Sequence, residues 1–375
     1  MFANCRAKAL PYKKGGFMER TLEMTNIEKD FDKFLSKPIE EKIPYFTKEG
    51  RIYDCLFAQQ FNRETLEYLF RIANTLRRIT KTKEGMEFAS SLLNHKRAML
   101  YFVQPSTRTF LSFLNACHIL GIKTSEIRDT SISSEYKGES PEDSIRTFSS
   151  YVDLIIMRHP TPNFVEKSAW LMNRTKRPVP IINAGSSKDQ HPTQALLDMY
   201  TLYRSFNGEI DGKTIAMVGD LKRGRTVRSL SYLLKNYKNV KIIYISPKEF
   251  RMEEDVLKFL RENKIEYLET ENFEEGISQA DAIYMTRIQD EHDKNDESKN
   301  VDYYKYSFTK KHLNIIKKNA IIMHPLPRRQ ELSVEVDDDP RAMYWRQERN
   351  GMWIRAALIT YIFRVDSKIH IELNP

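Results

Sequence analysis

Serine, threonine and arginine crowd one short stretch of this chain, Pro105-Ser106-Thr107-Arg108-Thr109. The segments on either side say how those side chains would be held. Residues 98–103 form an apolar run with the composition of a buried strand, and residues 110–120 read as a helix. Strand, tight turn and helix in that order would gather hydroxyls, a guanidinium and unpaired backbone N–H groups at one point. A helix start also carries partial positive charge, so a phosphate is the natural occupant. The plainer reading, a Ser/Thr cap beside a solvated arginine, serves equally well for this stretch alone.

Other polar residues recur at the same kind of place. Arg158-His159-Pro160 ends the apolar run that begins at Asp153, and Gln190-His191-Pro192-Thr193-Gln194 follows Pro180-Ile181-Ile182-Asn183-Ala184-Gly185. Arg225 follows Val218-Gly219-Asp220, Arg287 and Gln289 follow Tyr284-Met285-Thr286, and His324-Pro325-Leu326-Pro327 closes the last apolar run. Any one of these arginines reads as a surface charge or a loop ion pair, and His191 alone reads as a helix-start histidine. Four guanidinium groups at four strand ends would be costly to hold together without bound anions. Jointly they point to a ligand with several negative charges, which the arginine fork can grip through phosphate or carboxylate.

The elements that must position these residues alternate regularly. Strand patterns fall at 98–103, 153–159, 180–185, 214–220, 241–246, 282–286 and 320–323, with helical spacing at 61–78, 164–173 and 226–237. A long helix begins near His191 with Pro192 in its first turn, and a final helix covers about 351–364. This is an α/β chain: two lobes, each a mostly parallel sheet flanked by helices, with a ligand cleft between them at the strand C-termini. The expected organisation is an extension over residues 1–50, a first domain over 51–190 and a second over 191–350. The C-terminal stretch 351–375 would cross back to complete the first domain.

At 375 residues the chain is long enough for two cores. Its formal charge of +9 raises the question of nucleic acid, but acids and bases are interleaved, which favours an enzyme of anionic metabolites. No apolar run approaches the roughly 18 residues that span a bilayer, so no membrane partner is expected. Cys5, Cys55 and Cys117 are too few and too scattered for a disulfide framework or a metal-ligand set. That fits a reducing cytoplasm, and no metal or other cofactor is expected. Residues 1–18 hold Arg6, Lys8, Lys13 and Lys14 and no acid; a transit peptide is conceivable there, although an amphipathic pattern is lacking.

Taken in order, Pro105-Ser106-Thr107-Arg108-Thr109, Arg158-His159-Pro160, His191-Pro192-Thr193-Gln194 and His324-Pro325-Leu326-Pro327 resemble the signature motifs of the carbamoyltransferases. Lys137-Gly138-Glu139-Ser140, Gly219-Asp220-Leu221-Lys222-Arg223-Gly224-Arg225-Thr226 and Met285-Thr286-Arg287-Ile288-Gln289 are similar to the aspartate-using branch of that family. The ornithine-using branch usually carries His-Cys-Leu-Pro where this chain has His324-Pro325-Leu326-Pro327. The resemblance covers about residues 50 to 365. It implies transfer of the carbamoyl group from carbamoyl phosphate to the amine of L-aspartate, an early step of pyrimidine synthesis.

Residue roles follow from the same resemblance. Ser106, Thr107, Arg108 and Thr109 would hold the phosphate, with Arg158 reaching both phosphate and carbonyl. Thr109, Arg158 and His191 would stabilise the oxyanion, and Gln194 with the carbonyls of Pro325 and Leu326 would hold the carbamoyl nitrogen. Arg225 would take the α-carboxylate of aspartate, and Arg287 with Gln289 the side-chain carboxylate. Lys137 and a serine, Ser133 or else Ser134, would enter from a neighbouring subunit of a homotrimer. Whether a regulatory chain binds is left open.

Three positions depart from the family pattern. Phe110 stands where an arginine is common, Gln104 where an acid is common, and His292 where the acid's arginine partner is common. Gln104 and His292 would be two ends of one altered latch, so domain closure is expected to use a different or weaker one.

Overall fold

The computed structural model of this chain describes residues 27–129, 138–187, 190–287 and 302–369. The chain divides into two compact units, Met1–Tyr45 and Phe46–Pro375. Within the first, a short helix covers Ile39–Lys42, and the rings of Phe34 and Tyr45 lie 5.1 Å apart.

The second unit opens with a two-stranded antiparallel ribbon of Thr47–Lys48 and Arg51–Ile52, followed by helices α1 (Arg63–Ile79) and α2 (Lys83–Ser91). Asn62 caps α1 by accepting the N–H of Thr65, and the buried Leu66, Leu69, Phe70, Ala73 and Leu76 form its inner stripe. A four-stranded sheet follows: β1 (Arg97–Phe102), β2 (Lys123–Ile127), β3 (Leu154–Arg158) and β4 (Ile181–Asn183). Between them run α3 (Thr107–Ile119), α4 (Pro141–Tyr151) and α5 (Phe164–Asn173). The strand order is β2-β1-β3-β4, all parallel.

Helix α6 (Pro192–Ser205) leads to a second sheet of β5 (Thr214–Val218), β6 (Lys241–Ile245), β7 (Glu266–Thr270), β8 (Ala282–Met285) and β9 (Ile321–Met323). Its helices are α7 (Arg225–Leu234), α8 (Glu254–Glu262) and α9 (Phe273–Ser278). The order is β9-β8-β5-β6-β7, again parallel throughout. The central strands read as continuous apolar runs because helices cover both of their faces.

In each sheet the winding reverses once, between β1 and β3 and between β5 and β8. At such a reversal the two following loops part and leave a crevice at the strand C-termini. At or just after those four strand ends stand Arg108, Arg158, Arg225 and Arg287. Gly219 just past β5 has φ +114°, and a Cβ there would stand 2.3 Å from the carbonyl oxygen of Thr286, so only glycine lets these two strand ends approach.

Helix α10 (Tyr344–Ile362) packs against α1, α3 and α6. It starts at Tyr344 and not near residue 351, a correction to the sequence reading. The early turns carry Trp345, Arg346, Glu348 and Arg349 and therefore look like solvated surface, but Gln347 among them is fully buried. No helix among the described residues is long and apolar enough to cross a membrane.

Candidate active site

Between the two crevices lies a cleft of about 390 Å³. Five guanidinium groups line it, those of Arg108, Arg158, Arg225, Arg287 and Arg355, and Glu348 is the one acid among its described lining residues. Ser106, Thr109, His191, Gln194, Pro325 and Leu326 line it as well. Thr107 does not: its side chain is exposed and outside the lining, which leaves only its backbone N–H, in the first turn of α3, for a ligand there. Ser133, Ser134, Lys137, Gln289 and His292 lie outside the described residues.

Ser106 is the N-cap residue of α3, yet its side chain makes no capping hydrogen bond, and no acid stands in the first helical turn. The plain capping reading of this stretch therefore fails. A hydroxyl, helix-start N–H groups and Arg108 remain together at the cleft. Burial holds the Arg108 guanidinium below its usual range; Glu348 opposes that shift and Arg287 adds to it.

Arg158 ends β3, the strand beside β1, and only 9% of it is exposed. Its Nη1 donates to the carbonyl of Ala184 at 3.2 Å, while Nε is buried with no hydrogen-bond partner among the described residues. Burial, then Arg225, Arg108 and Arg355, push this guanidinium down to about 9. It remains a cation at neutral pH, confined beside three others, and a bound anion would relieve it.

His191 is the N-cap residue of α6, and its Nδ1 accepts the N–H of Gln194 at 3.2 Å. With Nδ1 accepting, the proton of the neutral ring sits on Nε2. Burial, then Arg158, Arg225 and Arg355, hold the ring well below the ordinary histidine range, so it is neutral and a donor. Gly185, at φ +91°, lies directly under the ring; a Cβ there would meet Nε2 at 2.6 Å.

Gln194 is oriented by a residue the sequence reading missed. Its Nε2 donates to Asp198 at 3.1 Å, and Asp198 also accepts from Tyr284 Oη at 2.8 Å and Gln347 Nε2 at 2.7 Å. Giving its amino group to Asp198 leaves the Gln194 oxygen as its acceptor. Gln347 in turn accepts the N–H of His324 at 2.9 Å, so one buried network ties α6, β8, α10 and the loop after β9. Burial pushes the Asp198 carboxyl up to about 7 despite its three donors.

His324 itself shapes the turn that follows. Its Nδ1 accepts the N–H of Leu326 at 2.7 Å and its Nε2 meets Glu331 at 2.8 Å. Leu326 is held at φ +51° in that turn. Arg225 opens α7, and its Nη1 donates to the carbonyls of Gly185, at 2.8 Å, and of Ser187. Gln104 accepts the N–H of Ser187 at 3.1 Å, so it ties two loops of the first lobe.

Two further residues escaped the sequence reading, both on α10. Arg355 is 2% exposed and donates to Ser112 Oγ at 2.6 Å, with its Nε lacking a partner among the described residues. Burial pushes it down to about 10, opposed by Glu348 and Asp198. Glu348 is held above the usual carboxylate range by burial, opposed by Arg355 and Arg108. The heptad spacing of Glu348 and Arg355 was visible, but nothing in the sequence aimed that face at the cleft. No cluster of three or more metal-ligating side chains occurs among the described residues.

The chain matches two family models end to end. Residues 54–204 match the carbamoyl-P binding domain of aspartate/ornithine carbamoyltransferase, and residues 211–362 match its Asp/Orn binding domain. Among curated relatives, the chloroplastic aspartate carbamoyltransferase of Arabidopsis thaliana is 42% identical over 83% of this chain and 78% of its own length. The aspartate carbamoyltransferase catalytic subunit of Clostridium novyi is 41% identical over 82% and 96%. Among solved structures, aspartate transcarbamoylase from Trypanosoma cruzi with carbamoyl phosphate and aspartate superimposes with a TM-score of 0.74. It is 34% identical, covering 82% of this chain and 95% of that one. With both of its lobes matched and Arg108, Arg158, Arg225 and Arg287 facing the cleft, this chain belongs to the aspartate/ornithine carbamoyltransferase family.

Proposed function

We propose that this chain is a transferase that moves the carbamoyl group of carbamoyl phosphate to L-aspartate, giving N-carbamoyl-L-aspartate and phosphate for pyrimidine synthesis. The observation that carries the reading is the cleft of five guanidinium groups in which Arg158 Nε is buried without a partner. A dianionic phosphate and a dicarboxylate supply the negative charge that such a cleft lacks.

Carbamoyl phosphate would lie with its phosphate at the start of α3, on Ser106, Arg108, Thr109 and the Thr107 N–H. Arg158 would bridge phosphate and carbonyl, and the Nε2–H of His191 would join Thr109 and Arg158 at the carbonyl oxygen, where charge grows. Gln194 Oε1 and the Pro325 and Leu326 carbonyls would accept from the carbamoyl nitrogen. Arg225 would exchange its carbonyl partners for the α-carboxylate, and Arg287 with Gln289 would take the side-chain carboxylate. The amine nitrogen then bonds to the carbamoyl carbon as the C–O bond to phosphate breaks, and the departing phosphate accepts the amine proton. His191, neutral and donating, acts on the carbonyl and not as the base.

Lys137 and Ser133 would complete the site from a neighbouring subunit of a homotrimer in the cytoplasm. Mixing a Lys137→Ala protein with an Arg225→Ala protein should restore turnover, because some mixed sites carry neither lesion; no recovery would reject shared sites. The reaction itself is tested by colorimetric detection of carbamoyl-amino-acid product with aspartate or ornithine. Turnover with aspartate that collapses in Arg287→Ala establishes the reading; turnover with ornithine, or with neither, rejects it. An ornithine acceptor would bring an ammonium toward Arg287, which disfavours it.

A further inference from the structure

A second cavity, of about 360 Å³, lies where the C-terminal ends of α1 and α6 meet, away from every residue assigned above. Arg71, Arg77, Arg78 and Lys81 from the α1 side and Arg204 from α6 line it, and none of its described lining residues is a carboxylate. The cavity is nearly as large as the catalytic cleft and carries as many cations.

Helix ends explain only part of this charge. The carbonyl terminus of a helix is worth roughly half a negative charge, so two termini offset about one cation. Setting Arg78 aside, Arg71, Arg77, Lys81 and Arg204 still leave about three positive charges in excess. None of these four forms an ion pair with a described residue. The nearest acid on the same helix, Glu67, is committed to Arg63 at 2.8 Å. Arg71 Nε is buried with no hydrogen-bond partner among the described residues, the same condition seen at Arg158.

The walls are built to stay open. Tyr203 forms one side, its ring 4.9 Å from that of the buried Phe70. Gly208, at φ +89°, lets the chain turn beneath that ring, where a Cβ would touch it at 3.4 Å. Asn74 is fixed by accepting from Tyr200 Oη at 2.7 Å. A cavity that concentrates cations, excludes acids and leaves a buried arginine nitrogen unpaired has the chemistry of a polyanion site.

We infer that this chain has a second anion site between the ends of α1 and α6, and that it takes a polyphosphate group, either as a free chain or on a larger metabolite. The proposal is independent of the catalytic reading, since no residue is shared between the two cavities.

Titration calorimetry of the full chain with tripolyphosphate tests it, with a nucleoside triphosphate as the second arm to separate a free phosphate chain from one carried on a larger metabolite. Arg108→Ala weakens anion binding at the catalytic cleft, and Arg77→Gln with Arg204→Gln weakens it at the second cavity. Expected are two classes of site in the natural chain, one surviving in Arg108→Ala. In the Arg77→Gln, Arg204→Gln chain that surviving class should be weakened at least about tenfold, with carbamoyl transfer retained. Neutral glutamine at these two exposed or half-buried positions keeps the fold. Absence of binding by either probe to Arg108→Ala, or unchanged affinity of that class in the double variant, overturns the proposal.

Discussion

The two crevices of the catalytic cleft hold their arginines in opposite ways. At the first, Arg158 is nearly buried, its Nε has no partner among the described residues, and its neighbours are three other guanidinium groups. At the second, Arg225 is half-buried and donates to the Gly185 and Ser187 carbonyls. The first stores an unfavourable charge that only an anion relieves, so it is preorganised for phosphate. The second is satisfied without substrate, so a carboxylate must displace hydrogen bonds the protein already makes. One crevice gains by being filled; the other exchanges one set of partners for another.

The largest effect should come from removing the stored charge. Arg158→Met should lower kcat by about 10³-fold or more, since a main oxyanion and phosphate donor is lost. It should also raise the thermal midpoint of the ligand-free protein, because a buried, poorly compensated cation is gone. Arg225→Met should do the reverse to stability, lowering the midpoint by stranding two carbonyls. Calorimetric melting of both variants without ligand breaks the comparison if the midpoints move in the same direction.

Gly185 joins the two crevices, because its carbonyl accepts from Arg225 and its α-carbon lies under the His191 ring. Gly185→Ala should push that ring from the cleft and cost about 10²-fold in kcat, the scale for one oxyanion donor. The Michaelis constant for carbamoyl phosphate should change far less, and steady-state kinetics would show the split. Because His191 is held below its ordinary range, the unfolded chain binds a proton there that the folded one does not. That contribution to stability is present above the unfolded value and is lost as pH falls from there through the lower folded value.

Glu348 works against the first crevice, since it places a carboxylate beside Arg108 and Arg355. Glu348→Gln should lower the Michaelis constant for carbamoyl phosphate by about three- to tenfold and leave kcat within about twofold. Its carboxyl is raised by burial, and a bound phosphate would raise it further, so substrate binding should take up a proton. The natural chain should therefore bind carbamoyl phosphate less tightly as pH rises through the Glu348 titration, and the glutamine chain should lose that component. Equal pH profiles in the two proteins would remove Glu348 from this role.

The central strands were legible because covering on both faces writes a long apolar run into the sequence. One edge strand of each sheet was not. Lys123–Ile127 and Glu266–Thr270 each stand at the rim of a sheet, with charged residues on exposed positions, and such strands carry little hydrophobic signal. Helix α4 did announce itself, with Ser140 as cap, Pro141 next and Glu142 and Asp143 in the first turn, but its polar approach masked it. In the cleft, the motif residues were legible by type and by their place after strands. Asp198, Gln347, Glu348 and Arg355 were not, because their roles depend on how α10 packs across α6, α3 and α1. No local pattern encodes that placement.

The smallest expected effect concerns the latch between the lobes. Gln104 already has work within the first lobe, accepting the Ser187 N–H in the loop whose carbonyls hold Arg225. A glutamate at this position keeps an acceptor for that N–H and adds a negative charge at the mouth of a cleft lined by five arginines. Gln104→Glu with His292→Arg should therefore lower the half-saturating aspartate concentration, by about two- to fivefold for one exposed ion pair that forms on closure. Gln104→Glu alone should do less, since the arginine that the family pattern pairs with this position would still be missing. If the double variant matches the natural chain, the second crevice closes without help from this pair, and displacement of the Gly185 and Ser187 carbonyls alone sets how readily aspartate enters.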